Sequence, residues 1–490
     1  MPEYTTPGVY IDEQVATGPI AGVGTSTAAF LGVAGNGPIA VPTAITNLTA
    51  FTSAFVSEDP PTEANGYLVR GVRGFFENGG TSAYVTRVGV KGVRAGVELT
   101  GGSPKKTVLK VTARRAGATG NKIKVEVQRP AEADDPHFTL VVTGPADNQA
   151  ETYPDLSMDP ADPAFVGAGL ENAPVDVALV DPAERTPPAK RQAVALENGE
   201  DASPAANATA WEAALTALAT VDEVSLVCAP GVTAPNIQQK LVEHCENAKD
   251  RFAILDAAPG ADPEAVKTQR GRLISARGHA ALYHPWLTIT HPVKAGETLA
   301  IPPSGHVAGV FARVDAQRGV HKAPANEQLN GALGLDQMVD DTQHGDLNDA
   351  GVNVMRVFHG RSRPLIWGAR TTSEDTAWRY VNVRRLFLFV EESIQQGIRW
   401  AVFEPNDVGL WKRLDRTITE FLTRVWSSGA LFGGTAEEAF YVKIDEENNP
   451  PGAQELGQVF IEVGIAPVRP AEFVVVRIGI WAGGGQVQEG

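Results

Sequence analysis

Two cysteines, Cys228 and Cys245, are all that a chain of 490 residues contains. So low a count argues against a disulfide framework and for a reducing compartment. Cys228 lies in an apolar strand-like run and Cys245 on a helix-like run, and both are expected as buried thiols. No apolar run approaches the roughly 18 residues that a membrane-spanning helix needs. The opening residues, Met-Pro-Glu-Tyr-Thr-Thr-Pro-Gly, have neither the basic nor the apolar stretch of a secretory signal. Positive charge is also short: 42 Lys and Arg face 58 Asp and Glu, a formal net charge of −16. That balance argues against nucleic acid or an anionic membrane as the main partner. A soluble protein, made and folded in the cytoplasm, is expected.

Familiar catalytic signatures are missing as well. There is no phosphate-cradling Gly-x4-Gly-Lys-Ser/Thr loop, and Gly22-Val-Gly24 lacks the third glycine of a dinucleotide fingerprint. Pro303-Ser304-Gly305 has the wrong flanks for a nucleophile elbow. Neither His-Glu-x-x-His nor Cys-x-x-Cys occurs. The most enzyme-like constellation is His279, His284, His291 and His306 with Asp315. Its spacings match no familiar site, and His284 and His291 each precede proline, which favours extended backbone. The acidic groups Asp340, Asp341, Asp346 and Asp349, and Asp445-Glu446-Glu447, lack the alternating ligands of a calcium loop. Packing and loop hydrogen bonds are expected of the histidines, and solvated turns of the acidic groups. No catalytic residue, metal site or cofactor is expected.

What is present is an ordinary globular composition, 43% hydrophobic and 20% charged, long enough for about three domains. Residues 1–20 read as an arm. Val9-Tyr10-Ile11 is a short strand former after the Pro7-Gly8 turn pair, with no hairpin partner nearby. An α/β core begins over 21–91, with a helix near 67–76 and a strand near 82–88. From about 92 to 197 the texture changes to period-two strands (107–113, 122–128, 137–143) between turn residues, a β-rich insertion. Strands and helices then alternate over 198–283, the rhythm of a layered sheet flanked by helices. Residues 284–370, dense in Gly, Pro, Asn and His, show little periodicity and are expected as ordered, functional or interface loops. Two amphipathic helices follow. Leu386, Phe389, Val390, Ile394, Ile398 and Ala401 line the first; Leu410, Leu414, Ile418, Phe421 and Val425 line the second. The second carries Lys412, Arg413, Arg416 and Arg424 elsewhere on its surface. Strands close the chain at 440–444, 458–463 and 472–480.

Several collinear phrases resemble the contractile tail sheath family of contractile phages, phage-tail-like bacteriocins and contractile injection systems. They include Ala281-Leu-Tyr-His-Pro-Trp286, Pro302-Pro-Ser-Gly-His-Val-Ala-Gly-Val310, Trp367-Gly-Ala-Arg-Thr371, Val402-Phe-Glu-Pro-Asn406 and Pro470-Ala-Glu-Phe473. Pro7-Gly-Val-Tyr-Ile11 fits the family's N-terminal phrase. The resemblance implies an α/β (α+β) core built from both chain ends: 21–91 and 198–472, with 92–197 as the inserted, outward-facing variable domain. It also implies extended terminal arms, 1–20 and 473–490, that complete a β-sheet shared with neighbouring subunits. Six-membered rings would stack around an inner tube protein, with baseplate and tail-terminator or cap proteins as further partners, and contract to drive the tube through an envelope. On this reading Pro7, Gly8, Val9, Tyr10 and Ile11, with Val474, Val475, Val476, Arg477, Ile478, Gly479 and Ile480, are the arm residues. Lys412, Arg413 and Arg416 are candidates to face the tube. An enzyme using the His-rich loops and a static shell or surface-layer protein are the alternatives.

Overall fold

A computed structural model describes residues 19–56, 63–90, 92–114, 116–130, 135–144, 150–168, 170, 173–200 and 207–476. Pro7 to Ile11 and Arg477 to Ile480 of the expected arms lie outside the described residues. The chain divides into two compact units, one of 1–36, 42–86 and 215–490, the other of 37–41 and 87–214.

The larger unit is built on strands β1 (Ala28–Gly32), β2 (Thr43–Ile45) and β3 (Ala83–Arg87), with helices α1 (Leu48–Phe55) and α2 (Glu63–Glu77) between the last two. After the second unit come β4 (Leu226–Cys228), α3 (Pro235–Ala248), β5 (Phe252–Asp256), α4 (Pro263–Gly271), β6 (Ala280–His284) and α5 (Ser304–Arg318). Next are β7 (Glu327–Gln328), α6 (Asp341–Asp349), β8 (Val352–Arg356), β9 (Leu365–Ile366), α7 (Val381–Gly397) and α8 (Val408–Ser427). β10 (Phe440–Lys443) and β11 (Glu462–Ile465) close the unit.

Nine of these strands form one sheet in the order β7-β9-β8-β6-β5-β4-β1-β3-β2. The middle pairings, β1 with β4, β4 with β5, β5 with β6 and β6 with β8, are all parallel. Every residue of β1, β4, β5 and β6 is buried, as in parallel sheets covered on both faces. The alternating rhythm of the sequence is thus a layered sheet.

The stretch 284–370 is not the run of loops expected. It holds a three-stranded antiparallel sheet (Leu287–Thr290, Thr298–Ile301 and Gly334–Leu335) and the helices α5 and α6. Helix α5 escaped because it is buried nearly all round, from Ser304 to Ala312 without a break, so no apolar stripe marks it. It lies against α2 at backbone contact. A methyl group on Gly305 would sit 2.2 Å from the Gly71 carbonyl oxygen, and one on Gly309 would sit 2.4 Å from the Phe75 carbonyl oxygen. Only glycine permits so close an approach.

Helices α7 and α8 match the expected faces. Leu410, Leu414, Ile418, Phe421 and Val425 of α8 are buried. Ile418, Phe421 and Val425 share one apolar cluster with Leu386 and Val390 of α7, and Leu410 and Leu414 form a second with Trp411. The two-stranded antiparallel sheet of β10 and β11 completes this layer: Phe440, Val463 and Ile465 belong to the first cluster. The last expected strand does not form over its described part, 472–476, which has no regular structure. Phe473, Val474, Val475 and Val476 are 73–81% exposed, so these residues pair with no strand of the core.

The smaller unit is a β-sandwich. One antiparallel sheet has the order Arg191–Ala195, Lys124–Gln128, Phe138–Thr143, Ala150–Leu156; the other has Lys106–Ala113 between Gly96–Gly101 and Val175–Leu179. Phe138–Thr143 alternates strictly between buried and half-buried residues, the periodicity that made it legible. Ala150–Leu156 was not legible because it contains Pro154 and is mostly exposed, both marks of an edge strand. Inward residues of both sheets, Val111, Val125 and Leu140 among them, share one core.

Candidate functional site

In an open parallel sheet, ligands usually bind beyond the carboxyl ends of the strands. Here that end carries Asp256, the last residue of β5. Its carboxylate accepts the Ser304 backbone N–H and the Ser304 hydroxyl, both at 2.8 Å, and the Gly231 N–H at 2.9 Å. Its main-chain oxygen accepts from the amides of Gln238 and Gln269. Burial pushes the Asp256 carboxyl up to about 6, against the hydrogen bonds from Gly231 and Ser304. The first turn of α5 therefore fills the crevice, and Asp256 is consumed in fixing it.

The histidines are dispersed into packing. His279, His284 and His306 are buried, and burial pushes each ring down to about 4, neutral at pH 7. His291 instead accepts the N–H groups of Val293 and Lys294 in its own turn. Asp315 is tied elsewhere: it forms a buried ion pair with Arg385 of α7 and accepts the Thr25 hydroxyl at 2.7 Å. No group of three or more His, Cys, Asp or Glu side chains among the described residues could hold a metal ion. No helix among them is long and apolar enough to cross a membrane. Cys228 and Cys245 are buried, and burial raises both thiols.

The acidic groups are caps and pairs. Asp340 caps α6 in a reciprocal capping box with Gln343, and Asp341 pairs with Arg356 at 2.6 Å. Asp445 organises its own turn by accepting from Glu447 N–H at 2.9 Å.

The distinctive chemistry lies where the two described ends leave the core. At the N-terminal root, Ile20 is buried, and its carbonyl accepts from Arg424 of α8 at 2.7 Å. Val23 N–H donates to Ser393 of α7, and Arg385 donates to the Thr25 carbonyl at 2.8 Å. At the C-terminal root, Arg370 grips the Glu472 carboxylate with two hydrogen bonds of 2.9 and 2.8 Å, a fork-to-fork pairing. Asn348 and Tyr380 donate to the same carboxylate at 2.8 and 3.0 Å. Partial burial pushes the Glu472 carboxyl up, but these bonds and the Arg370 charge outweigh it and hold it below its ordinary value. The roots border two cavities of about 920 and 490 Å³ that share Arg318 and His321 in their walls.

Lys412, Arg413 and Arg416 are exposed on α8. Arg413 pairs with Glu404 at 2.9 Å and stacks over the Trp400 ring. Arg424, read from sequence with the basic set, instead fastens the N-terminal root. The pairings of Arg385, Arg370 and Arg424 were not legible, because an arginine on an amphipathic helix or in a loop has no local sequence mark of its distant partner.

Two family models match contiguously: the phage tail sheath protein central domain over residues 204–372 and the phage tail sheath C-terminal domain over 373–480. The chain belongs to the phage tail sheath family. Its curated relatives in that family include a prophage protein of Pseudomonas aeruginosa described as a major tail sheath protein. It is 27% identical over 269 residues, which are 52% of this chain and 64% of the relative. The tail sheath protein of Burkholderia phage BcepMu is 29% identical over 35% of this chain and 36% of its own length. The chain thus spans less than two thirds of these relatives. Solved structures share the sheath fold over nearly the whole length. The PVC sheath complex of an extracellular contractile injection system, in its contracted state, has a TM-score of 0.63 at 22% identity, covering 98% of both chains. The contracted helical sheath of the anti-feeding prophage has a TM-score of 0.60 at 24% identity, covering 97% of this chain and 99% of that one. The enzyme and static-shell alternatives gain nothing from these likenesses.

Proposed function

We propose that this chain is a structural subunit of a contractile tail sheath, without enzymatic activity. It polymerises as stacked six-membered rings around an inner tube and contracts to drive that tube through a target envelope. Baseplate and tail-terminator or cap proteins bound the stack, and the subunits are made in the bacterial cytoplasm. The β-rich unit is the inserted variable domain, facing outward.

One observation carries the assembly reading. The sheet of β10 and β11 has only two strands, too few to be stable alone and with edges unpaired among the described residues. The N-terminal root packs in the same apolar cluster through Ile20, and the C-terminal root continues directly from β11. An extended arm from a neighbour would add a strand there, gaining main-chain hydrogen bonds and placing alternate side chains in the cluster. Residues 7–11 and 474–480 are the arms. Each bond contributes about 0.5–1.5 kcal/mol net, and two arms per subunit turn modest links into a mesh. Such a mesh keeps subunits connected while rigid cores rotate. The exposed Lys412, Arg413 and Arg416 face the tube.

Deletion of residues 1–16 tests this reading by negative-stain microscopy. The full chain is expected to form helical tubes, and the truncated chain to remain as folded, unassembled subunits. Normal tubes from the truncated chain would overturn it.

A further inference from the structure

The last described stretch of the chain is a strap with two fastened ends. Ala466 N–H donates to the Ala439 carbonyl beside β10, and Val468 N–H donates to Ala430. Asn382 of α7 donates to the Val468 carbonyl at 3.1 Å. Four residues on, the Glu472 carboxylate takes the four hydrogen bonds from Arg370, Asn348 and Tyr380. Immediately after it Phe473 to Val476 are exposed. Among the described residues, the last side chain that hydrogen bonds fasten to the core is thus Glu472.

The partners of Glu472 are themselves fixed in the central sheet. Arg370 is buried, and its backbone N–H donates to the Asn353 side chain of β8 at 2.6 Å. The Asn353 amide returns a bond to the Arg370 carbonyl and reaches the Leu282 carbonyl of β6. Arg370 also donates to the Asn348 carbonyl at the end of α6. A continuous path of hydrogen bonds therefore runs from Glu472 to two central parallel strands. A free surface carboxylate would gain little from one arginine; this one is gripped from three directions with nothing of its own to cap.

We infer that Glu472, with Arg370, Asn348 and Tyr380, is the anchor that joins the C-terminal arm to the rigid core. Tension or torque transmitted along residues 473 onward ends at this clamp and passes into the central sheet. Glu472 positions the arm and does not itself touch the neighbouring subunit. The inference rests on the arm reading above and adds where the arm is attached.

The full chain carrying Glu472→Ala tests it. The variant should fold, with unchanged hydrogen exchange in the central sheet and faster exchange confined to about residues 469–476. Its yield of sedimentable tubes should fall at least tenfold, and the swap Glu472→Arg with Arg370→Glu should restore part of it. Should Glu472→Ala misfold, Glu472→Gln and Tyr380→Phe weaken the same clamp and should lower the yield severalfold. A wild-type yield from whichever variant folds overturns the anchor. A chain ending at Glu472 separates the two ideas. No tubes from it beside normal tubes from Glu472→Ala sinks the anchor alone, whereas normal tubes from the shortened chain sink the arm reading.

Discussion

Ser304 gives both its backbone N–H and its hydroxyl to the two oxygens of the Asp256 carboxylate, each at 2.8 Å. A strand end and a helix start separated by 48 residues are thereby locked together at the place where related architectures leave a crevice. Replacing Asp256 with Asn would turn an amide N–H toward donors and should cost about 1–3 kcal/mol. Ser304→Ala, which keeps the backbone bond, should cost about 1 kcal/mol. Denaturant unfolding of the full chain at pH 7 measures both, and unchanged midpoints would refute the staple.

Acidification should destabilise the subunit. The folded rings of His279, His284 and His306 titrate near 4, against 6.5 when unfolded. Between those values the unfolded chain binds protons that the folded chain refuses. Their contribution is complete above pH 6.5 and is lost as pH falls toward 4. Asp256 runs the other way: near 6 when folded and 3.8 unfolded, it contributes more as pH falls through that window. His244, which burial also pushes down to about 4, adds to the histidines, and Glu392, which burial pushes up to about 7, adds to Asp256. Four histidines outweigh two carboxyls, so unfolding midpoints should fall from pH 6.5 to 4. His306→Gln should flatten the slope, and a profile that rises on acidification would contradict the sign.

Gly305→Ala should be strongly destabilising, by about 1–3 kcal/mol or more, because the new methyl meets the Gly71 backbone rather than a movable side chain. Gly345→Ala in α6 is the control. Nothing lies within 4 Å of its new methyl, so stability should hold or rise by up to about 1 kcal/mol. Comparable losses in the two variants would show that helix contact is not the cause.

Breaking the buried Asp315–Arg385 pair by Asp315→Asn or Arg385→Leu should cost about 3–5 kcal/mol, since one charge is left without its partner. Replacing both with apolar residues should recover much of that loss. A double variant as unstable as the sum of the two singles would argue against the pairing.

Charge reversal at Lys412, Arg413 and Arg416 should leave subunit stability within about 1 kcal/mol, because the one ion pair involved is exposed. Co-sedimentation with the inner tube protein should be lost. Tube binding that survives reversal would remove these residues from the tube contact.

Elements were legible in the sequence where burial is one-sided. The apolar face of α8 and the alternation of Phe138–Thr143 follow from a helix or strand whose other side is more exposed, and α7 shows such a stripe beyond its buried first turns, Val381 to Leu386. Helix α5 and the small sheet at 287–301 lacked that contrast and merged into an apparent loop. The candidate site divided likewise. His279, His284 and His306 could be named as residues, but whether they met at a site or dispersed into the core depended on strands and helices far apart in sequence. Glu472 stood in a motif, yet nothing local indicated that Arg370, 102 residues earlier, would close on it.

The sequence by itself determined the composition of an acidic chain with two thiols, the alternation of strands and helices, the β-rich insertion and the tail sheath phrases. Local periodicity and residue type are sufficient for these. Only the tertiary structure decided that the crevice of the sheet is closed by Ser304, that three histidines are buried neutral, and that Arg370, Asn348 and Tyr380 close on Glu472. Each depends on desolvation and on pairs of groups that meet across long stretches of chain, and no short window of residues encodes such a meeting.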